Sequence, residues 1–277
     1  MFDLKGKKGA WVNQYAIPAP DLFMERAPQV DYLIIKYGLG GIEKMAVEAK
    51  VPWLAEIYPY DVDPARYANL LADQAGQPGC VGVVVNFESG DGPLVAHWDG
   101  DDGRRTRLFF DTLLPRIGAL PIYASIDTRG DRPQRPYQRE LARVCAGVMP
   151  MVYPKEFLQA VDVAFASAIT PTVEVMWHGK EIIPTIQTYN DIGAAGVALQ
   201  VKAAGLRDGV TAYTLGHASP EEWATFIERA SAPAGDGAGL LALRVNWYTM
   251  MCQLAINGNV DAVVAFADSW KKMAANK

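Results

Sequence analysis

The chain has 277 residues, of which 50% are apolar and 21% charged. This composition is ordinary for a soluble globular protein, and the length suits about two domains or one large α/β barrel. Lys and Arg number 26 against 31 Asp and Glu, a formal charge of −5, so nothing points to a basic face and nucleic acid is not an expected partner.

The first residues lead straight into a strand-like run at 10–15. No apolar signal core precedes it, and no run in the chain is long enough to span a membrane. The expectation is a chain that starts in the cytoplasm, or is released by lysis or incorporated in a virion. Further apolar runs follow at 32–37, 52–58, 81–88, 121–127, 148–153, 182–189 and 210–215. Runs this apolar suit strands buried on both faces, as in a parallel sheet.

Helical segments lie between them. Asp63-Pro64 opens one that continues through Leu71, with Asp as N-cap and Pro in the first turn. Residues 103–118 and 135–146 carry apolar residues at helical spacing, and Asp191 is read as the cap of 192–204. Ser219-Pro220-Glu221-Glu222 has the pattern of a capping box. Strand–helix alternation repeated eight times predicts an α/β fold, a (β/α)8 TIM barrel over residues 1–232. Residues 233–239 read as a Gly/Pro linker, and 240–277 as a C-terminal helical pair packing on the barrel or a partner. Through those helices the chain could form a homo-oligomer or join a particle.

Chemistry in a barrel sits at the strand C-termini and the loops after them. The residues predicted there are Asn13 and Tyr15, Lys36, Glu56 and Tyr58, Asn86 and Glu88, Asp127, Tyr153, Gln187 and Tyr189, and Tyr213. Glu88 ends an apolar run in which alternation puts Val84, Asn86 and Glu88 on one face. A carboxyl in a partly dry barrel mouth suits a general acid. Tyr rings with polar tips can stack on sugar faces and bond hydroxyls. Asp127 reads as a second carboxylate or a turn residue, and Glu56 as a carboxylate that pairs with Lys36. His97, His178 and His217 are far apart and form no metal-binding pattern, and Cys80, Cys145 and Cys252 form neither a disulfide framework nor a zinc motif. A dinucleotide turn and a Walker loop are also missing, so no cofactor is expected.

The run Val83-Val84-Val85-Asn86-Phe87-Glu88 resembles the fourth-strand motif of glycosidase barrels. That motif is D-x-x-D-x-D-x-E in family 18 chitinase-like proteins and D-x-E in family 25 endolysin-type muramidases. Leu33-Ile34-Ile35-Lys36-Tyr37-Gly38 is similar to the muramidase strand "IIKATEG". Residues 183–189 and 209–213, with 218–223, look like the last two strands of bacterial and phage glycosidase-like barrels. This chain departs from the pattern at Asn86, Val84 and Val81, where the chitinase motif is acidic. Only Glu88 matches as a carboxylate.

The resemblance implies a glycoside hydrolase-like protein acting on a cell-wall or amino-sugar polysaccharide. Glu88 would be the general acid, with Asp127 or Glu56 as a second carboxylate. Asn13, Tyr15, Lys36, Tyr58, Asn86, Tyr153, Gln187, Tyr189 and Tyr213 would hold the sugar, without metal or cofactor. The alternative is a non-catalytic relative, serving as a carbohydrate-binding or structural component such as part of a phage particle.

Overall fold

The computed structural model describes residues 2–59, 63–87, 102–130, 132–205 and 207–231. The chain divides into two compact units, Met1–Ala234 and Gly235–Lys277, and every described residue belongs to the first. Glu88, the linker at 233–239 and the helical pair predicted for 240–277 lie outside the described residues, as do His97 and Cys252.

The strands are β1 (Lys7–Val12), β2 (Tyr32–Lys36), β3 (Trp53–Ile57), β4 (Cys80–Phe87), β5 (Ile122–Ile126), β6 (Gly147–Val152), β7 (Glu181–Ile182), β8 (Thr185–Gln187) and β9 (Gly209–Tyr213). All pair in parallel in chain order, and β9 pairs back onto β1. The segments β7 and β8 both pair with β6 and together make one barrel strand, the seventh of eight. The predicted run 182–189 is broken at Pro184, which has no N–H to give to the sheet.

Strand burial explains why the predicted runs are apolar on both faces. Ala10, Val12, Leu33, Ile35, Ala55, Val83, Val85 and Ala124 point outward into the shell of helices. Trp11, Tyr32, Ile34, Leu54, Val84, Tyr123, Met149 and Ile183 fill the interior as a separate cluster. Following the pairing around the circuit gives a shift matching the shear of about eight residues expected of such barrels. That shear stacks the inward side chains in layers of four from alternate strands. The layers can be read from the register. Ile34, Val84, Met149 and Thr211 lie at mid-height, and Trp11, Glu56, Ser125 and Thr185 above them. Next come Lys36, Asn86, Met151 and Tyr213, then Asn13, Tyr58, Asp127 and Gln187 towards the mouth.

The base of the barrel is filled by Tyr32, whose hydroxyl lies 2.5 Å from Thr211 Oγ1. Its ring needs Gly9 on β1, because a Cβ there would sit 2.2 Å from ring atoms of Tyr32. Leu4 plugs the bottom beneath these rings, fully buried in the interior cluster. Its N–H donates to Glu181 Oε2 at 3.2 Å.

The helices follow the sequence signals where a cap is local. Asp63 Oδ1 accepts from Arg66 N at 3.0 Å at the start of α3 (Pro64–Ala75). Helices α4 (Arg104–Ile117), α5 (Pro136–Val144) and α8 (Gly193–Ala204) fall within a residue or two of the predicted spans. In α9 (Pro220–Ser231) the capping box forms, with Glu222 N donating to Ser219 Oγ and Ser219 N to Glu222 Oε2. The cap of α8 differs from expectation. Asp191 does not cap it; Gly193 N donates instead to Glu222 Oε1 at 2.8 Å. One buried carboxylate thus holds the starts of two neighbouring helices. The short helices α1 (Pro20–Arg26), α2 (Ile42–Glu48), α6 (Val161–Ala168) and α7 (Pro171–Met176) complete the described set. Among the described residues no helix is long and apolar enough to cross a membrane, and Cys80 and Cys145 are free thiols.

Two expected outcomes follow from the barrel base. Gly9→Ala should destabilise the protein by about 1–3 kcal/mol through overpacking against Tyr32, read as a lower urea midpoint at unchanged m-value. The second concerns Glu181, whose pKa is raised, chiefly by burial and further by Asp3 and Asp208, against the opposing hydrogen bonds from Leu4 N–H and the Tyr123 hydroxyl. A carboxyl with a raised folded-state pKa contributes most below its unfolded value of about 4.3 and loses that contribution as pH rises through the folded value. The wild-type chain should therefore lose stability relative to Glu181→Gln as pH is raised from about 4 towards neutrality, measured by urea unfolding at each pH. Parallel stability curves would refute it.

Candidate active site

The mouth of the barrel opens into a well of about 160 Å³. Its lining is Trp11, Asn13, Tyr15, Lys36, Glu56, Tyr58, Asn86 and Tyr213. The strand register accounts for this set. Trp11 and Glu56 belong to the deepest layer the well reaches, and Lys36, Asn86 and Tyr213 to the next. Asn13 and Tyr58 stand nearer the opening, and Tyr15, 70% exposed, forms the rim. Period-two alternation makes the lining regular, since Trp11 on β1 and Asn13 just beyond it alternate inward, as do Glu56 on β3 and Tyr58 just beyond it.

Glu56 is fully buried, and it pairs in register with Lys36 on the adjacent strand. Strands lie roughly 4.8 Å apart, so the carboxylate and the ammonium group share one region of the wall. The Lys36 Nζ lies 5.9 Å from the ring centroid of Tyr15 and 5.8 Å from that of Tyr58, within cation–π range. Asn13 Nδ2 donates to the Tyr213 hydroxyl at 2.6 Å, and Asn13 Oδ1 accepts from Tyr15 N at 3.0 Å. Asn13 therefore fixes both the tyrosine at the end of the neighbouring strand β9 and the turn that carries the rim. The indole N–H of Trp11 is buried and has no hydrogen-bond partner among the described residues, and the same holds for Ser125 Oγ and Thr185 Oγ1 in its layer.

The other predicted site residues stand on the opposite half of the mouth. Tyr153, Tyr189 and Tyr213 form a ring cluster, with centroid separations of 5.4 Å for Tyr153–Tyr213 and 5.7 Å for Tyr189–Tyr213. Exposed His217 lies against Tyr189 at 6.2 Å. Gln187 is fully buried. Its Oε1 accepts from Lys155 N at 3.0 Å and Glu156 N at 3.4 Å, and its Nε2 donates to Tyr189 O. Gln187 so ties the loop after β6 to the end of β8. Asp127 accepts from Arg129 Nε at 2.9 Å and Nη2 at 2.7 Å, and Arg132 Nη1 lies 3.3 Å away. Its Oδ1 also accepts from Arg129 N, the local bond of a turn. The Arg129 guanidinium stacks on Phe157, 3.2 Å from the ring centroid.

The structure thus brings Asn13, Tyr15, Lys36, Glu56, Tyr58, Asn86 and Tyr213 together around one well, and sets Asp127, Tyr153, Gln187 and Tyr189 beside it. Two residues were not singled out from sequence. Trp11 was hidden inside an apolar run, although it stands two positions before Asn13 on the same face. Glu156, whose Oε2 accepts from the Tyr189 hydroxyl at 2.7 Å, lies in a loop with no periodic signal. Among the described residues no group of three or more His, Cys, Asp or Glu could hold a metal ion.

No family model matches the chain, and no curated protein matches it in sequence. Solved structures do resemble it in fold. A GH18 chitinase from Pseudoalteromonas aurantia superposes with a TM-score of 0.57 at 13% identity, over 81% of this chain and 99% of that one. A variant GH36 alpha-galactosidase from Geobacillus stearothermophilus, in complex with stachyose, gives 0.52 at 7% identity, over 81% of this chain and 40% of that one. These likenesses show the (β/α)8 barrel fold.

Replacing Gln187 by Leu should leave the Lys155 and Glu156 amides without their acceptor. The expected cost is about 1–3 kcal/mol, with faster hydrogen exchange at those two amides. Unchanged exchange there would show that the loop is held by other contacts.

Proposed function

We propose that the protein is a glycoside hydrolase-like enzyme acting on a cell-wall or amino-sugar polysaccharide, with the sugar bound in the well. The observation that carries this reading is the lining itself. One buried carboxylate, one ammonium group, two amides and four aromatic rings converge on one small well. That is the mixture a sugar needs: rings for its apolar faces, and donors and acceptors for its hydroxyls. The glycosidase-like fold supports the same reading by analogy.

Glu88 is the general acid in this proposal. It stands in sequence two residues after the well-lining Asn86, at the position where the resembled motifs carry their acid. It would protonate the leaving glycosidic oxygen. Between the two candidates for a second carboxylate, the geometry favours Glu56, which lines the well. Asp127 is engaged by Arg129 and Arg132, and in this reading it shapes the loop after β5. Glu56 would face the positive charge that develops at the anomeric carbon, with Lys36 as its charge partner. Asn13 and Asn86 would bond hydroxyl or acetamido groups. Gln187 would position the two loops that carry Tyr153 and Tyr189.

A second reading has its own observation. Asn86 stands where the resembled families have an acid, and Glu56 already shares its wall with a cation. A barrel in which that chemistry has lapsed would still bind carbohydrate, or serve as a structural component assembled through residues 240–277. The two readings separate in one experiment. Glu88→Gln should fold as the wild type does, by circular dichroism and urea midpoint. It should release reducing ends from chito-oligosaccharides or peptidoglycan at least about a hundredfold more slowly, as expected for loss of a general acid. Full activity in that variant overturns the assignment of Glu88. Sugar binding by a wild-type chain that cleaves nothing selects the second reading.

A further inference from the structure

We infer that the well receives the non-reducing end of a glycan chain, a single terminal sugar unit inserted end-on, and not a stretch of chain lying across the barrel. The inference rests on the carbohydrate reading above and deepens it, and three independent features carry it.

The first is the floor. Beneath Trp11 and Glu56 the interior is closed by Ile34, Val84 and Met149, all fully buried. The well therefore descends through successive side-chain layers and stops. Its volume is about 160 Å³. This is room for one ring, and a ring from the middle of a chain would need an exit for the next unit.

The second is the far half of the mouth. A cleft crossing the barrel would continue from Tyr213 over the ends of β5, β6 and β8. That ground is filled by the protein's own side chains: Tyr153 and Tyr189 packed on Tyr213, and Arg129 clamped between Asp127 and Phe157. Gln187 ties the intervening loop down from below.

The third is the chemistry at the bottom. The Trp11 indole N–H is buried and unpartnered, in a side chain that lines the well, beside the Glu56 carboxylate. A buried donor left without an acceptor is costly. A hydroxyl placed here accepts from Trp11 Nε1, and its own proton faces the Glu56 side of the well. Terminal units carry such a hydroxyl where inner units carry a glycosidic bond.

The test uses the full chain carrying Glu88→Gln, so that the ligand is not consumed, and two forms of chitotetraose, one intact and one treated with periodate. Periodate opens the non-reducing terminal ring at its vicinal diol and leaves the inner rings closed. Binding is followed by titration calorimetry. The inference expects at least about tenfold weaker binding of the opened form. Equal affinity for the two forms overturns end-on recognition and leaves the carbohydrate reading standing. Binding of neither form overturns both. Trp11→Phe added to Glu88→Gln locates the floor: with wild-type circular dichroism, it should bind the intact tetramer several-fold more weakly. Unchanged affinity in that folded variant removes Trp11 from the site and overturns the floor contact.

Discussion

Closure of the parallel sheet is the constraint on which the rest depends. Once β9 pairs with β1, no edge remains, and the shear of the register decides which side chains share a height inside the barrel. Every inward residue then has a fixed set of neighbours from strands far away in sequence. Tyr32 can fill the base because Gly9 leaves room for its ring. Trp11 and Glu56 meet at one depth because their strands are two apart in the circuit. The candidate site is thus the upper continuation of the core, built on the same strands and held by the same pairing. Each lining side chain is positioned by a strand or a strand end, which gives the well a rigid wall on the β1–β4 side.

Much of the fold was legible because the physics behind it is local or periodic. Strands buried on both faces must be apolar at every position, so the runs at 32–37 and 81–88 stand out from the amphipathic helices between them. The capping box at Ser219 and Glu222 needs only residues three apart and was readable as it stands. The cap of α8 was not, because its acceptor comes from Glu222, twenty-nine positions along the chain. The break at Pro184 was also missed. A proline in an apolar run is visible in sequence, but whether the sheet tolerates it as a gap depends on the neighbouring strands. The short helices α1, α2, α6 and α7 carry too few turns to show a period.

The site was legible to a similar degree and for the same reason. Alternation along a strand predicts which face a residue takes, and it brought Asn13, Lys36, Glu56 and Asn86 to one well. It cannot predict what a side chain bonds to when it arrives. Gln187 and Asp127 lie in the same layer as Asn13, yet Gln187 holds backbone amides and Asp127 holds two arginines. Those partners come from loops, where spacing carries no information. Trp11 shows the converse error: an aromatic in an apolar strand reads as core, and only the depth of the well shows that it is also wall.

The layer formed by Trp11, Glu56, Ser125 and Thr185 is the feature that stability alone does not explain. An apolar quartet at this height would extend the interior formed by Ile34, Val84 and Met149, and would leave no polar group to satisfy. Instead the position holds a fully buried carboxylate, and three neighbouring donors or acceptors have no partner among the described residues. Each such group costs on the order of 1–3 kcal/mol when left unsatisfied. Groups of this kind persist where a site needs them and the surrounding fold is stable enough to carry the cost. Below the floor of the well the inward polar groups among the described residues are the Tyr32–Thr211 hydroxyl pair, which is satisfied internally, and, at the barrel base, the buried Tyr123 hydroxyl and the Glu181 carboxylate that accepts from Leu4 N. The boundary between scaffold and site therefore runs between two adjacent side-chain layers, one at Ile34 and Val84 and the other at Trp11 and Glu56.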